Sequence, residues 1–145
     1  IYQYEISNFA KPGFESRHNT RYWDAKEYIG AGAGASSYFH NVRYQNPSDT
    51  EEYIRFSAHF KPLYKENAPL TTEEQMSEFA FLGLRKTRGI SLLQFKEKFG
   101  KDFSEVFQSA VSKHKNNGLL CEENGRLFLS EKGMDLANYV MEDFV

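Results

Sequence analysis

The sequence predicts a mixed α/β (α+β) fold in two parts, and three observations indicate it. Residues 1–6 alternate between apolar and polar side chains, which is the period of a half-buried strand. Three alternate glycines follow between residues 30 and 34. From residue 72 onward apolar residues recur at helical spacing, and Asn124-Gly125 separates two short apolar runs. A strand-containing first part therefore precedes a mainly helical second part.

Composition limits the class of protein. The 145 residues are 40% hydrophobic and 16% aromatic, enough to bury one ordinary core or two small ones, and the net charge of −2 excludes a polybasic nucleic-acid-binding protein. Cys121 is the single cysteine, which excludes an internal disulfide and a cysteine-held iron–sulfur cluster within this chain alone. No run reaches the roughly 20 apolar residues of a membrane span. We expect a cytoplasmic protein without a membrane span.

The first residues predict a strand, a loop and a short helix. Residues 1–6 form the strand, and since the chain opens on it without Met, we expect a piece of a longer protein. Pro12-Gly13 lies in a predicted loop over residues 9–20, and loops of this length are more often functional than idle. A short helix is expected over residues 21–28.

The alternate glycines predict an extended segment with one bare face, against which a flat ligand or another backbone can lie. The segment lacks the ending of a P-loop and the spacing of a dinucleotide fold, so a tight strand without a ligand remains an alternative. Residues 42–45 predict another strand. Ser48 and Glu51 form a capping box for a helix. The apolar face of that helix comprises Tyr53, Ile54, Phe56 and Phe60.

Two prolines within residues 62–71 mark a linker and a domain boundary. The predicted domains are therefore residues 1–61 and residues 72–145. In the second domain we expect a helix over 72–85 and a short helix that begins after Ser91. A longer helix from Phe103 to His114, a hairpin over 119–129 and a last helix after Ser130 complete the domain. This order is typical of a winged helix.

A winged helix raises the question of nucleic-acid binding. Residues 72–145 carry ten basic and twelve acidic side chains, and Glu122 and Glu123 lie at the predicted wing. A duplex would meet acidic groups where it needs basic ones. We therefore expect no DNA binding.

Residues 18–23, which read His-Asn-Thr-Arg-Tyr-Trp, form the most unusual segment of the chain. A loop histidine followed by two aromatic rings can present an imidazole to a metal while the rings cover a flat cofactor. The alternative is a polar loop in which Asn19 or Thr20 caps the next helix. The other histidines are scattered, and His114 lies on the apolar face of its helix, which predicts a core residue. The residues assemble no self-sufficient active site.

Three ordered blocks resemble one known family. They are Tyr4-Glu5-Ile6-Ser7-Asn8-Phe9-Ala10, the H-N-x-x-Y-W run from His18 to Trp23, and Tyr28-x-Gly30-x-Gly32-x-Gly34-Ala35. Together they resemble the C-terminal half of the oxygen-independent coproporphyrinogen III oxidase-like radical SAM proteins. The H-N-x-x-Y-W run is similar to the HemW-type heme chaperone branch. Leu82-Gly83-Leu84-Arg85 also fits, so the resemblance covers nearly the whole chain.

The resemblance implies a parent with a partial (β/α) radical SAM barrel followed by a small helical C-terminal domain. Residues 1–61 would be the last barrel strands and helices. The loop of three cysteines that holds a four-iron four-sulfur cluster, which cleaves S-adenosylmethionine, lies elsewhere in such a parent. The parent thus resembles a radical SAM oxidoreductase, whereas this chain alone is not expected to be an enzyme or to bind a cofactor tightly.

The resemblance also implies site residues. His18 would be the ligand of the heme iron, and Asn19, Tyr22 and Trp23 would shape its surroundings. S-adenosylmethionine would lie beside Gly30, Gly32, Gly34, Ala35 and Ser36. The family commonly has His where this chain has Ser36, so any role of that His is in question here.

The function implied is heme trafficking in porphyrin metabolism, with heme and heme-receiving client proteins as partners. One alternative is an oxygen-independent coproporphyrinogen III oxidase, which decarboxylates its substrate oxidatively. Another alternative is a winged-helix module for protein docking or nucleic-acid binding. A truncated barrel further predicts an open edge at Tyr2, Tyr4 and Ile6, through which copies of the chain associate.

Overall fold

The computed structural model describes residues 1–58 and 68–145, together with the backbone of residues 65–66. Phe60 of the predicted helix and residues 62–64 and 67 of the predicted linker lie outside the described residues. The chain forms two compact units. The larger unit contains residues 1–25 and 72–145, and the smaller unit contains residues 26–71. This division differs from the predicted domains because it groups the first 25 residues with the C-terminal part.

The larger unit begins with a hairpin and a helix. Strands β1 (Tyr2–Glu5) and β2 (Asn8–Ala10) pair antiparallel, and helix α1 spans Arg17–Trp23. The predicted strand is confirmed. The predicted loop over residues 9–20 and helix over 21–28 are wrong, because β2 pairs within the loop and α1 begins four residues early. The side chain of Ser16 caps the helix by accepting from the backbone of Asn19.

The smaller unit contains a three-stranded antiparallel sheet and a helix. The elements are β3 (Ser36–Phe39), β4 (Val42–Gln45), α2 (Thr50–Ala58) and β5 (Lys65–Glu66), with β4 in the centre of the sheet. The strand over 42–45 is confirmed. Asp49, rather than the predicted Ser48, accepts from the backbone N–H of Glu52 at 2.8 Å. Ile54 is 59% exposed, so its assignment to an apolar face is wrong.

The rest of the larger unit alternates helices with a second three-stranded antiparallel sheet, in the order β6-β8-β7. Its elements are α3 (Thr72–Leu84), β6 (Ile90–Ser91), α4 (Leu92–Phe99), α5 (Phe103–Val106), α6 (Gln108–Asn116), β7 (Leu120–Glu123), β8 (Arg126–Leu129), α7 (Glu131–Asp135), α8 (Ala137–Met141) and a 3₁₀ turn (Glu142–Phe144). The predicted helices over 72–85 and after Ser91 and the predicted hairpin are confirmed. The predicted third helix is divided in two at Phe107, the predicted last helix is divided at Leu136 and ends in a 3₁₀ turn, and β6 was not predicted.

The core of the larger unit is built around aromatic rings. Phe95, Phe103 and Phe144 are each at most 2% exposed, and the ring centroids of Phe95 and Phe103 lie 5.0 Å apart. His114 is fully buried, which confirms its prediction as a core residue, and its Nε2 lies 2.7 Å from Asp143 Oδ2. Within the described part of the chain, no helix has the length and apolar character required to span a membrane.

Candidate functional site

The segment from His18 to Trp23 lies entirely within one regular helix. Ser16 begins α1: its Oγ accepts from the N–H of Asn19 at 3.2 Å, and its carbonyl accepts from the N–H of Thr20 at 2.9 Å. His18 therefore lies in the first turn of a helix, and its predicted place on a loop is wrong. The alternative in which Asn19 or Thr20 caps the helix is wrong as well. Helical geometry instead fixes the spacing of the side chains.

His18 is exposed to solvent and contacts an aromatic ring of the same segment. Its ring centroid lies 4.8 Å from that of Tyr22, edge-on at an interplanar angle of 79°. The two residues are four apart, the separation at which side chains meet on one helix face. An accessible imidazole that packs edge-on against a neighbouring ring is suited to bind a metal ion through a ring nitrogen.

The end of α1 is attached to the residues that follow α3. The guanidinium carbon of Arg85 lies 4.4 Å from the ring centroid of Trp23. Asp24 Oδ1 lies 2.5 Å from Lys86 Nζ and 3.1 Å from an Arg88 nitrogen. Burial lowers the pKa of Lys86, and its hydrogen bond to Asp24 opposes that shift. The last turn of α1 is thus held by a cation–π contact and two ion pairs.

The same residues also bind the edge of β1. Ile6 N–H donates to the Arg85 carbonyl at 2.9 Å, and Thr87 N–H donates to the Tyr4 carbonyl at 3.1 Å. The predicted open edge of the first strand is therefore partly occupied by the chain itself. Glu5, in the middle of this edge, is fully buried, and Asn8 donates from its amide to the carboxylate.

No local sequence pattern indicated this attachment. Arg85, Lys86 and Arg88 have the pattern of an ordinary solvated charge cluster at a helix end, and Asp24 pairs with Lys86 across 62 positions of the chain. The block Leu82-Gly83-Leu84-Arg85 fitted the family resemblance and was the only signal near these residues. This block does not indicate which side chain contacts Trp23.

The alternate glycines form an irregular loop rather than the predicted extended segment. Gly32 and Gly34 have φ angles of +112° and +70°, the left-handed region that favours glycine. Because the chain turns at these two positions, the glycines do not share one bare face. Ser36 marks the first residue of β3.

The backbone of this loop is satisfied largely from within the smaller unit. The N–H groups of Gly30 and Gly32 donate to Ser37 Oγ and to Tyr53 Oη, each at 3.0 Å. The side-chain amide of Asn46 donates to the carbonyls of the same two glycines, at 3.3 and 3.0 Å. Gly34 N–H donates to the Pro47 carbonyl at 2.7 Å. These three amides are therefore unavailable to cradle a phosphate.

The glycines differ in the space beside them. A Cβ on Gly30 would lie 2.3 Å from the Ser36 carbonyl oxygen, so Gly30 is required by the packing of the loop itself. A Cβ on Gly32 would meet no atom within 4 Å. Gly32 is therefore not required by packing, and its positive φ angle is the reason for glycine at this position.

The structure thus gathers the predicted site residues into two places. His18, Asn19, Tyr22 and Trp23 lie on α1 of the larger unit, and Gly30, Gly32, Gly34, Ala35 and Ser36 lie in and after the loop of the smaller unit. Among residues 1–58 and 68–145, no three His, Cys, Asp or Glu side chains are grouped to hold a metal ion.

Comparison with known proteins gives consistent matches. Residues 70–136 match the HemN C-terminal domain. The chain is 41% identical over 145 residues to the heme chaperone HemW of Bacillus subtilis, covering 100% of this chain and 38% of that protein. It is 39% identical over 142 residues to HemW of Lactococcus lactis, covering 98% and 37%. The chain therefore spans less than two fifths of the length of these relatives.

A solved structure supports the fold. The Escherichia coli coproporphyrinogen III oxidase HemN, described as a radical SAM enzyme, superimposes with a TM-score of 0.69 over 97% of this chain and 37% of that chain. The sequence identity is 14%. The mixed α/β architecture is thus that of the corresponding part of HemN.

Proposed function

We propose that the chain, which is similar to HemW heme chaperones and matches the HemN C-terminal domain over residues 70–136, belongs to the HemW-related family and is the C-terminal part of a heme-trafficking protein. One observation carries the proposal: a chain 41% identical along its whole length to a heme chaperone presents its H-N-x-x-Y-W run on a single helix with an exposed histidine. Heme is the cargo in this proposal, and client proteins receive it.

In this proposal His18 binds the heme iron through its imidazole. The edge-on contact with Tyr22 restricts rotation of the imidazole, so the ligand is oriented before heme arrives. Asn19 and Trp23 lie on the same helix, one and five residues on, and so on other faces than His18; in this proposal they contribute to the wider surface around the ligand. A single axial histidine is sufficient to hold heme iron. The exposure of His18 supports a site that both accepts and releases its cargo.

We also propose the finer architecture. Residues 1–61, of which residues 1–25 group with residues 72–145, are the C-terminal part of a partial radical SAM barrel, and residues 72–145 are a winged-helix-like domain. Residues 65–66 of the predicted linker over 62–71 pair with β4 as strand β5. The match that begins at residue 70 supports the second boundary, and the helices with the β7–β8 hairpin support the winged-helix order. All described strand pairs are antiparallel, and β1 is bonded to β2 on one edge and to residues 85–87 on the other.

S-adenosylmethionine and a four-iron four-sulfur cluster belong to the same proposal. The open side of Gly32, with Gly30, Gly34, Ala35 and Ser36 around it, fits the approach of the adenosyl group. When bound with the cluster, S-adenosylmethionine supplies a radical by reductive cleavage. The ligands of the cluster are not in this chain, whose single cysteine is Cys121. We place the protein in the cytoplasm, and the low cysteine content supports a reducing compartment.

A hemin titration of the full-length protein tests the proposal. We compare the wild type with His18→Ala and with His40→Ala, a matched control, since His40 is an exposed histidine of the smaller unit. We expect His18→Ala to lose the shift of the Soret band and to bind hemin at least about tenfold more weakly. His40→Ala should titrate as the wild type does. An unchanged spectrum and affinity in His18→Ala would remove His18 from its proposed role.

A further inference from the structure

Arg85 contacts the proposed heme-binding segment from outside it. We propose that Arg85, within the HemN C-terminal domain, is a positioning residue that fixes the orientation of the Trp23 indole. The inference rests on the proposed heme-binding role of residues 18–23, and adds to it a residue outside that segment. It also assigns a role to the HemN C-terminal domain, which holds the helix that carries the heme ligand.

The contact between the two side chains is close and specific. The guanidinium carbon of Arg85 lies 4.4 Å from the Trp23 ring centroid, within the range of a cation–π interaction, for which Trp is the preferred ring. Both residues are partly buried. Partial desolvation strengthens this interaction, and the planar guanidinium stacks on an indole in a way that a lysine ammonium does not.

The backbone of Arg85 is hydrogen-bonded to the residue that follows strand β1. Its carbonyl accepts from Ile6 N–H at 2.9 Å, and the next residue, Lys86, pairs with Asp24 at 2.5 Å. Arg88 adds a second ion pair to Asp24 at 3.1 Å. The backbone around Arg85 is therefore anchored on both sides, which fixes the point from which its side chain reaches Trp23.

The hydrogen bonding of the pair is incomplete. The Trp23 Nε1 and Arg85 Nε groups are buried, and neither has a hydrogen-bond partner among the described residues. Most buried N–H groups in folded proteins are paired, and leaving one unpaired reduces stability. The contact with the Arg85 guanidinium, and not a hydrogen bond from the indole Nε1 to a described residue, is therefore what orients the ring in this proposal.

The test uses the full-length protein with Arg85→Met, Arg85→Lys and the control Lys98→Met. Lys98 lies 5.2 Å from the Phe99 ring in the same unit, so the control also removes a cation from an aromatic face. Trp23 emission is taken as the difference between each protein and the same protein with Trp23→Phe. Quenching of that emission by acrylamide and the affinity for hemin are then measured.

We expect Arg85→Met to make Trp23 more accessible to acrylamide and to weaken hemin binding about tenfold. Arg85→Lys should restore part of both properties, and Lys98→Met should leave both unchanged. If Arg85→Lys restores the hemin affinity fully while Trp23 emission stays altered, the positive charge at residue 85 is sufficient for hemin binding. That result would overturn the inference. Unchanged emission in Arg85→Met would overturn it whatever the hemin result.

The two proposals fail in different ways. If the wild type does not bind hemin, the proposed function is wrong, and the emission of Trp23 still decides whether Arg85 orients it. If the wild type binds hemin but Arg85→Met binds it equally well, the proposed function stands and the positioning role is wrong.

Discussion

At the scale of single residues, the buried His114 shows how a polar group is held in the core. Its side chain is fully buried between the rings of Tyr139 and Phe144, and Asp143 Oδ2 lies 2.7 Å from its Nε2. Lys113 Nζ lies 2.6 Å from the same Asp143 oxygen. The Lys113 hydrogen bond, followed by that of His114, lowers the pKa of Asp143 from its ordinary 3.8. One carboxylate therefore links α6 to the C-terminal 3₁₀ turn.

Asp143→Ala should reduce the free energy of unfolding by about 1–2 kcal/mol, because it leaves a buried imidazole nitrogen without its partner. Since the pKa of Asp143 is lowered by folding, its contribution is present above pH 3.8 and is lost as the pH falls through the folded-state value. Urea unfolding of the wild type and variant from pH 7 down to about pH 2 measures both effects. Asp135→Ala, at an exposed position, is the control; equal loss in both variants would contradict the prediction.

At the scale of elements, α7 is packed against the chain before β7 more closely than a side chain permits. Ser130 caps the helix by accepting from Gly133 N–H at 2.9 Å, and its hydroxyl donates to the Gly118 carbonyl at 2.7 Å. A Cβ on Gly133 would lie 2.0 Å from the Leu119 carbonyl oxygen. Glycine is thus required here by close approach and not by its backbone angles.

Gly133→Ala should therefore destabilise the protein by about 1–3 kcal/mol, although alanine in a helix is ordinarily about 1 kcal/mol better than glycine. The sign of the change in the free energy of unfolding shows whether the close contact with Leu119 or the helix propensity of alanine dominates. Ser112→Ala, at an exposed position of α6, is the control and should change stability little. Thermal or chemical unfolding gives the comparison, and a neutral or stabilised Gly133→Ala would show that α7 can move away from Leu119.

At the scale of the whole molecule, the first residues present apolar side chains to solvent. Ile1, Phe9 and Phe14 are 88%, 64% and 80% exposed. Exposed apolar side chains are available for contacts between copies of the chain. The backbone edge of β1 is partly bonded to residues 85–87, so association through these residues would depend more on side chains than on strand pairing.

We expect the 145-residue chain to self-associate as its concentration rises, and Phe9→Ser to weaken that association. Leu93→Ser is the matched control, because Leu93 is 65% exposed, as Phe9 is at 64%, but lies on α4. Sedimentation velocity over a range of concentrations provides the measurement. A wild-type chain that remains monomeric at high concentration would contradict the prediction, as would equal effects of the two substitutions.

The sequence by itself determined the elements whose signals are local. Asn124-Gly125 adopts the positive φ angles of +50° and +71° that a tight hairpin turn needs, and the hairpin formed where predicted. Ser91 and the left-handed Gly100 bound α4 as their capping chemistry predicts. The family resemblance likewise rested on ordered local motifs and agreed with relatives along the whole chain.

The tertiary structure alone decided the features that join distant residues. Strands β2, β5 and β6 have only two or three residues each, too few for a periodic pattern, and exist because a partner strand pairs with them. The contact of Arg85 with Trp23 and the grouping of residues 1–25 with 72–145 also depend on contacts between segments far apart in the chain. A local pattern specifies the conformation of its own residues, whereas the choice of a distant partner is made only when the chain has folded.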